Sequence, residues 1–403
     1  NMLGFQSKFL GVDFRIARAR GCTSLPDMAC LGLALVLAST CFGGSDATAI
    51  AHTLQDHPLA VCLDGSPGSY YLQEGSGSGL SKFHIFFEGG SFCGSHAECA
   101  QRAQGYLGST AKDPPHKVLD DHPFFSTSQK RSPLLWNWNH VFVRYCDGAY
   151  YSGARLDAQP AGKTQIFYRG SYITRAVLED LAQSHGLRSA TDVVFSGCSA
   201  GAIRVFAHLD ALRGLLPSEV RVSGFPDSGF YLDRPIFTPL KRFVTEGDGQ
   251  NGTGLLNQAC AKCNLGAEER CLIGNVVSRF LETPLFAWQS RYDIDQQECE
   301  MTQACAKSDD CVREYGANLT AELQETLLAK PDMGAFLDSC SRHCAGAVLP
   351  HDDVLNMNPM QAFAAWYANR NSHFYSQDAT FPCLECCTAG GGMALAGRHI
   401  FML

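Results

Sequence analysis

Charge is scarce in this chain. Only 18% of its 403 residues are Asp, Glu, Lys or Arg, and the acidic residues outnumber the basic ones, 40 to 32. A formal charge of −8 leaves no basic surplus to neutralise phosphates, which argues against a nucleic-acid binder. No segment approaches the roughly 18 apolar residues that a membrane-spanning helix requires. No repeat with a period of about 20–50 residues recurs, which sets solenoids and propellers aside. The sequence has no H-E-x-x-H. Gly162-Lys163-Thr164 lacks the earlier glycine of a phosphate loop, because position 157 is Asp. No cofactor and no metal are expected.

What is present in quantity is apolar residues, at 45%, and cysteine, with 19 copies. The first argues against disorder, and the length suffices for one large α/β domain. The second points to an oxidising compartment. The N-terminus agrees. Leu31 to Phe42 form a short apolar run downstream of Arg15, Arg18 and Arg20, followed by Ala47-Thr48-Ala49, an A-x-A cleavage pattern. We expect residues 1–49 to be a leader, a secretory signal peptide, and 50–403 to be one domain. Cleavage there removes Cys22, Cys30 and Cys41 and leaves an even number of cysteines. The sequons Asn251-Gly252-Thr253 and Asn318-Leu319-Thr320 suit a secreted glycoprotein.

From about Val61 the chain reads as alternating strands and helices. Phe83–Phe87, Val141–Tyr145 and Asp192–Ser196 are β-rich apolar runs, with weaker ones at Val220–Ser223 and Pro284–Trp288. Helical periodicity covers Ser171–Ser184 and Ala202–Leu215, and further helices are expected near Thr320–Leu328 and Pro359–Ala368. Gly75–Gly79 is a turn between the first strands. This alternation predicts a mostly parallel sheet flanked by helices. Cys260–Cys311 holds six cysteines and reads as a disulfide-stapled insertion carrying one strand of the sheet. A further cluster, Cys383, Cys386 and Cys387, precedes a Gly-rich tail. Cys260-x-x-Cys263 with Cys383-x-x-Cys386 has the format of a zinc site. The pairs lie too far apart for a compact ribbon, and secretion favours disulfides.

The sharpest motif is Gly197-Cys198-Ser199-Ala200-Gly201. It lies between a predicted strand and a predicted helix, the context of a nucleophile elbow. Cys198 reads as packing or as a disulfide. A serine hydrolase also needs backbone donors for the oxyanion and a base oriented by a carboxylate. Glu88-Gly89-Gly90-Ser91-Phe92 directly follows a strong strand, and its glycines let N–H groups face a substrate. In this fold one donor is the residue after the nucleophile, Ala200, and the other comes from an early loop, here Gly90 or Ser91. The acid and then the histidine follow the nucleophile in the chain. Asp293, just past the strand Pro284–Trp288, is well placed, and Asp295 lies two residues on. His343, His351, His373 and His399 come later, and spacing alone does not choose among them.

These pieces resemble the pectin acetylesterase family, which also contains the Notum-type carboxylesterases. The matching segments run in order through roughly residues 62–344: Cys62-Leu63-Asp64-Gly65-Ser66, Phe87-Glu88-Gly89-Gly90, Arg144-Tyr145-Cys146-Asp147-Gly148, Ser152-Gly153, Arg169-Gly170, the elbow, Asp227-Ser228-Gly229-Phe230-Tyr231-Leu232-Asp233, Tyr292-Asp293 and Ser339-Cys340-Ser341-Arg342-His343-Cys344. The resemblance implies an α/β-hydrolase-like fold, with Ser199 as nucleophile, Asp293 as acid, His343 as base, and Gly90, Ser91 and Ala200 as oxyanion donors. It also implies bridges Cys62–Cys146 and Cys93–Cys99. His343 sits between Cys340 and Cys344, where a staple could fix the loop that presents the imidazole.

One departure stands out. Ser91 and Phe92 occupy the place where family members usually carry an aromatic residue, often Trp, beside the oxyanion glycines. An aromatic wall at that place helps to shape the acyl pocket. Tyr145-Cys146-Asp147-Gly148-Ala149 looks closer to the pectin acetylesterase branch than to the Notum branch. The expected function is a secreted, monomeric serine carboxylesterase that removes O-acetyl groups from a polysaccharide such as pectin. The alternatives are a Notum-like deacylase acting on an acylated protein and a catalytically silent glycan- or protein-binding homologue. A fluorophosphonate probe that failed to label Ser199 would favour the last.

Overall fold

The computed structural model describes residues 48–389, apart from 121, 163, 236–237, 346–347, 351–356, 371–372, 378 and 384–386. Its strands are β1 (Thr48–Thr53), β2 (Ser69–Gln73), β3 (Lys82–Phe87), β4 (His116–Val118), β5 (Asn139–Val143), β6 (Gln159–Ala161), β7 (Thr164–Ile166), β8 (Asp192–Cys198), β9 (Arg221–Asp227), β10 (Phe286–Ser290), β11 (Gly334–Asp338), β12 (Val348–Pro350), β13 (His373–Ser376) and β14 (Cys387–Ala389). Ten of them form one sheet in the order β13-β11-β10-β9-β8-β3-β5-β2-β1-β4, while β6-β7 and β12-β14 are small ribbons. Neighbours from β5 to β13 pair in parallel, and β2, β1 and β4 extend the sheet antiparallel. This is the mostly parallel sheet expected from the alternation, in the α/β-hydrolase-like arrangement that the resemblance implied.

The central strands are apolar throughout because both of their faces are covered. Successive side chains point to opposite faces. Ile85 and Phe87 of β3, with Val193 and Phe195 of β8, join the layer that contains the helices Gly170–Ser184 and Ala200–Arg213. Phe86 and Val194 join the other layer, with Phe225, Trp288, Phe336 and the helix Pro359–Ala368. In that second layer Phe225 stacks on Phe363 at 3.9 Å. Asn358 starts the helix with a reciprocal capping box to Gln361 and with Pro359 in its first turn. Burial of each such aromatic side chain contributes about 1.5–3 kcal/mol.

Several elements extend beyond the sequence reading. The helix expected near Thr320 runs over Asp309–Thr326, begun by the Ser308 hydroxyl accepting from Cys311 N–H. β11, β13 and the antiparallel strands β1, β2 and β4 went unread. They are short, and the runs of β2 and β11 carry few period-2 cues. Ala49, the expected leader boundary, lies in β1 and is fully buried opposite Lys117. The segment Cys260–Cys311 does carry one sheet strand, β10. Its stapling is partial: Cys260–Cys271 and Cys305–Cys311 are bridged, while Cys263 and Cys299 are free thiols. Cys62–Cys146 and Cys93–Cys99 are bridged as the resemblance implied.

Candidate active site

Four loops at the C-terminal end of the parallel strands assemble the site. The first is the elbow. Ser199 follows β8 with φ 54° and ψ −120° and stands at the N-cap of the helix Ala200–Arg213. A non-glycine residue in that region costs on the order of 1–3 kcal/mol, held here by surrounding structure. Ser199 N–H donates to Asp227 O at 3.1 Å, tying the turn to the end of β9. The flanking glycines are steric requirements. A Cβ on Gly201 would lie 2.0 Å from Phe87 O, and one on Gly197 would lie 2.5 Å from the Gly201 carbonyl carbon. Ser199 is partly exposed, whereas Ala200 is buried.

The second loop follows β3. A Cβ on Gly89 would meet Cys198 O at 2.6 Å, so only glycine lets this loop approach the elbow. Gly90 has φ +147° and Ser91 has φ 57°. The loop is fixed from below. Tyr145 hydroxyl donates to Ser91 O at 2.7 Å, and Arg102 donates to Gly90 O. Glu88 accepts from the fully buried Arg144 guanidinium, from Tyr145 N–H at 2.9 Å and from Tyr106 hydroxyl at 2.9 Å. Arg144 also pairs with Asp113 at 2.6 Å. Gly90 and Ser91 therefore sit beside Ser199 and Ala200 on an anchored backbone, and the N-terminus of the elbow helix adds its positive end.

The third and fourth loops follow β10 and β11. Asp293 is completely buried and caps the short helix Ile294–Glu300, its Oδ1 accepting from Asp295 and Gln296 N–H at 3.0 and 3.1 Å. His343 Nδ1 lies 2.8 and 2.9 Å from the two Asp293 oxygens. Its Nε2 is buried with no hydrogen-bond partner among the described residues. Burial opposes protonation of this ring, but the Asp293 carboxylate outweighs it, helped by Asp295 and Asp227, and holds the imidazole up at about 9. Asp295, the other carboxylate considered, is instead bound by Tyr231 hydroxyl at 2.7 Å and stands 4.0 Å from Nε2. Among the other histidines considered, His373 lies in β13, at the edge of the sheet. His351 and His399 fall outside the described residues.

Two features hold the His343 loop against the elbow. Cys198 is disulfide-bonded to Cys344, so the residue before Ser199 is joined to the residue after His343. Cys340 is bridged to Cys387, so the two cysteines flanking His343 bind different partners rather than each other. The second feature is a buried ionic network. Arg342 pairs with Asp338 at 2.7 Å and with Asp227 at 3.0 Å, and it lies over the Trp288 ring. Trp288 indole N–H donates to Asp338 at 2.9 Å, and Cys344 N–H donates to Ser228 hydroxyl at 2.9 Å. The sequence reading quoted Arg342 and Asp227 only as matching letters. A long basic side chain next to the candidate histidine was the available signal.

A pocket of about 50 Å³ opens at Ser199. Phe92, Tyr150, Ile203, Leu240 and Leu272 are among its apolar walls, and Tyr231, Lys241, Asp295 and Cys299 add polar groups. Lys241 is buried and paired with Asp233. Cys299 is a free thiol, but burial, reinforced by Asp295 and Glu300, pushes it up to about 12 and keeps it un-ionised.

Comparison with known proteins agrees with this architecture. Residues 45–388 match the model of the Pectinacetylesterase family. The chain is 28% identical over 362 residues to pectin acetylesterase 11 of Arabidopsis thaliana, covering 82% of this chain and 90% of that protein. It is 30% identical over 304 residues to a palmitoleoyl-protein carboxylesterase, notum1, of Xenopus laevis, covering 70% of this chain and 59% of that protein. A solved structure of the Wnt deacylase Notum from Drosophila superposes with a TM-score of 0.70 at 23% identity, over 85% of this chain and all of that one. The chain belongs to the pectinacetylesterase family and is a carboxylic ester hydrolase.

Proposed function

We propose that this protein is a secreted serine esterase that removes O-acetyl groups from a polysaccharide such as pectin, using Ser199, His343 and Asp293. The observation that carries the proposal is the buried Asp293–His343 pair, whose free Nε2 belongs to a loop disulfide-linked to the elbow. In this reading neutral His343 takes the Ser199 proton as the hydroxyl oxygen attacks the ester carbonyl. Asp293 holds the ring and stabilises the imidazolium. The oxyanion lies on the N–H groups of Ala200, Gly90 and Ser91, each worth about 2.7–4 kcal/mol in comparable sites. His343 then returns the proton to the leaving alcohol, and water hydrolyses the acyl-enzyme by the same route.

The pocket supports a short acyl group. Its roughly 50 Å³ is a third of the ~150 Å³ cavity that admits benzene. A long unsaturated chain, the alternative suggested by the Notum relatives, requires these walls to open. The six disulfides among the described residues support secretion. Ser199→Ala, expressed and folded normally, is expected to lose about 10⁴–10⁶-fold in p-nitrophenyl acetate turnover; retained activity would overturn the assignment. Wild-type protein is expected to prefer acetyl over octanoyl esters, and the reverse preference would favour lipid deacylation.

A further inference from the structure

A second cluster of metal-binding side chains lies away from this site. His52 of β1 meets Asp180 and His185 at the C-terminal end of the helix Gly170–Ser184, and one ligand atom from each lies within 4.8 Å of the others. β1 is four strands from β8 in the sheet. The helix starts beside Asp147, past the C-terminal end of β5, where a Cβ on Gly170 would lie 1.9 Å from the Asp147 carboxylate. By strand register His52 lies in one row with Tyr70, Val143, Phe87 and Gly197, so the cluster sits across the sheet from the elbow, four strand spacings or roughly 19 Å away.

The surroundings orient these three side chains. Tyr70 hydroxyl donates to Asp180 Oδ2 at 2.5 Å, and Ser184 hydroxyl donates to Oδ1 at 3.3 Å, so the carboxylate is held from both sides. The His52 ring stacks on Tyr70 at 4.9 Å, and His185 meets His52 edge-on at 4.8 Å. His185 is itself fixed as the helix C-cap, its backbone N–H bonded to Leu181 O. Two imidazoles and a carboxylate with an outer tyrosine partner are the donor set and supporting shell of zinc sites. A tetrahedral site with bonds of about 2.0–2.2 Å spaces its ligand atoms by roughly 3.3 Å, so closing the cluster takes side-chain rotations without movement of strand or helix. All three residues are half-buried, which leaves a coordination position for water and a path for the ion.

We propose that His52, Asp180 and His185 form a binding site for a divalent first-row transition ion, zinc by its ligand set, that clamps β1 to the helix Gly170–Ser184. The role is structural, because the site is remote from Ser199. The experiment is calorimetric titration of zinc chloride into the untagged, chelator-treated full chain, with thermal unfolding measured in parallel. Wild-type protein is expected to bind one equivalent saturably and to unfold at higher temperature with zinc present. His52→Ala and His185→Ala are expected to bind at least tenfold more weakly, since even outer-shell changes cost about 10–100-fold. They should also lose the zinc-dependent thermal shift while hydrolysing p-nitrophenyl acetate at the wild-type rate. Asp180→Asn, which keeps the bond from Tyr70, serves as the third variant should either alanine change impair folding. Absence of saturable binding, or equal affinity in wild type and variants, would overturn the site.

Discussion

The elbow at Ser199 and the loop at His343 carry the proposed nucleophile and base, yet they are built by different means. The elbow is local. Its strained serine and two sterically obligatory glycines fall within five residues, Gly197–Gly201, and its strand and helix pack on either side. The His343 loop has no such internal logic. It is held by a disulfide to Cys198, by a bridge to Cys387, and by Arg342 reaching Asp227 on another strand. The proposed nucleophile is thus placed by backbone geometry, whereas the proposed base is placed by long-range contacts, and the two should fail differently when disturbed.

The largest expected effect on His343 is chemical. Asp293→Asn keeps the capping oxygen but removes the charge that orients and stabilises the imidazolium. By analogy with other triads kcat should fall by about 10⁴-fold, with little change in thermal stability when melting is measured above about pH 9, where His343 is neutral with or without the carboxylate. Steady-state kinetics beside a melting curve checks both halves. A large loss of stability would instead give Asp293 a mainly structural role.

Arg342→Met comes next and reverses the pattern. It leaves Asp227 and Asp338 buried without their cation, a cost of about 3–5 kcal/mol. Denaturant unfolding should report that loss. Activity of the remaining folded fraction should drop because the His343 loop loosens, while fluorophosphonate labelling of Ser199 slows but persists. An unchanged unfolding midpoint would contradict the importance given to the network.

The smallest effect concerns pH. Because Asp293 raises His343 above its ordinary 6.5, kcat/KM should still be rising with pH above that value, toward about 9, as the neutral base accumulates. Asp295→Asn removes one contributor. It should move the rising limb to lower pH by roughly 0.2–0.7 unit, as suits a partly exposed charge worth about 0.2–1 kcal/mol. The sign also carries to stability. The protonated His343 stabilises the fold fully below pH 6.5, and that contribution is lost as pH rises through its folded value.

Two other histidines, the buried His140 of β5 and the half-buried His122, act in the opposite sense. Burial lowers His122 to about 4 and His140 to about 3. Their neutral forms therefore favour the fold above pH 6.5, and that advantage is lost as pH falls from there through the folded values.

Parts of this molecule were legible in the letters because the responsible interactions are short in sequence. The runs Phe83–Phe87 and Asp192–Ser196 announce buried parallel strands, the 3.6 periodicity of Ser171–Ser184 announces a helix, and Gly197–Gly201 announces a tight turn between them. Each signal reflects backbone sterics or one-dimensional apolar periodicity, which neighbouring residues impose on one another. The short strands β2 and β11 gave little warning, since pairing partners far along the chain, not their own composition, make them strands.

The rest was decided in three dimensions. Spacing left both Asp293 and Asp295 open and four histidines after them; only the packing of the loops after β10 and β11 brings Asp293 to His343 Nδ1 and turns Asp295 toward Tyr231. The cysteine count predicted bridges, but not that Cys198 would take Cys344 or that Cys299 would stay free in a pocket wall. Which groups meet across the sheet depends on strand order and register, and those arise from burying the whole core at once. A run of residues therefore specifies its own turn, strand or helix, while the partnership of distant side chains belongs to the folded chain.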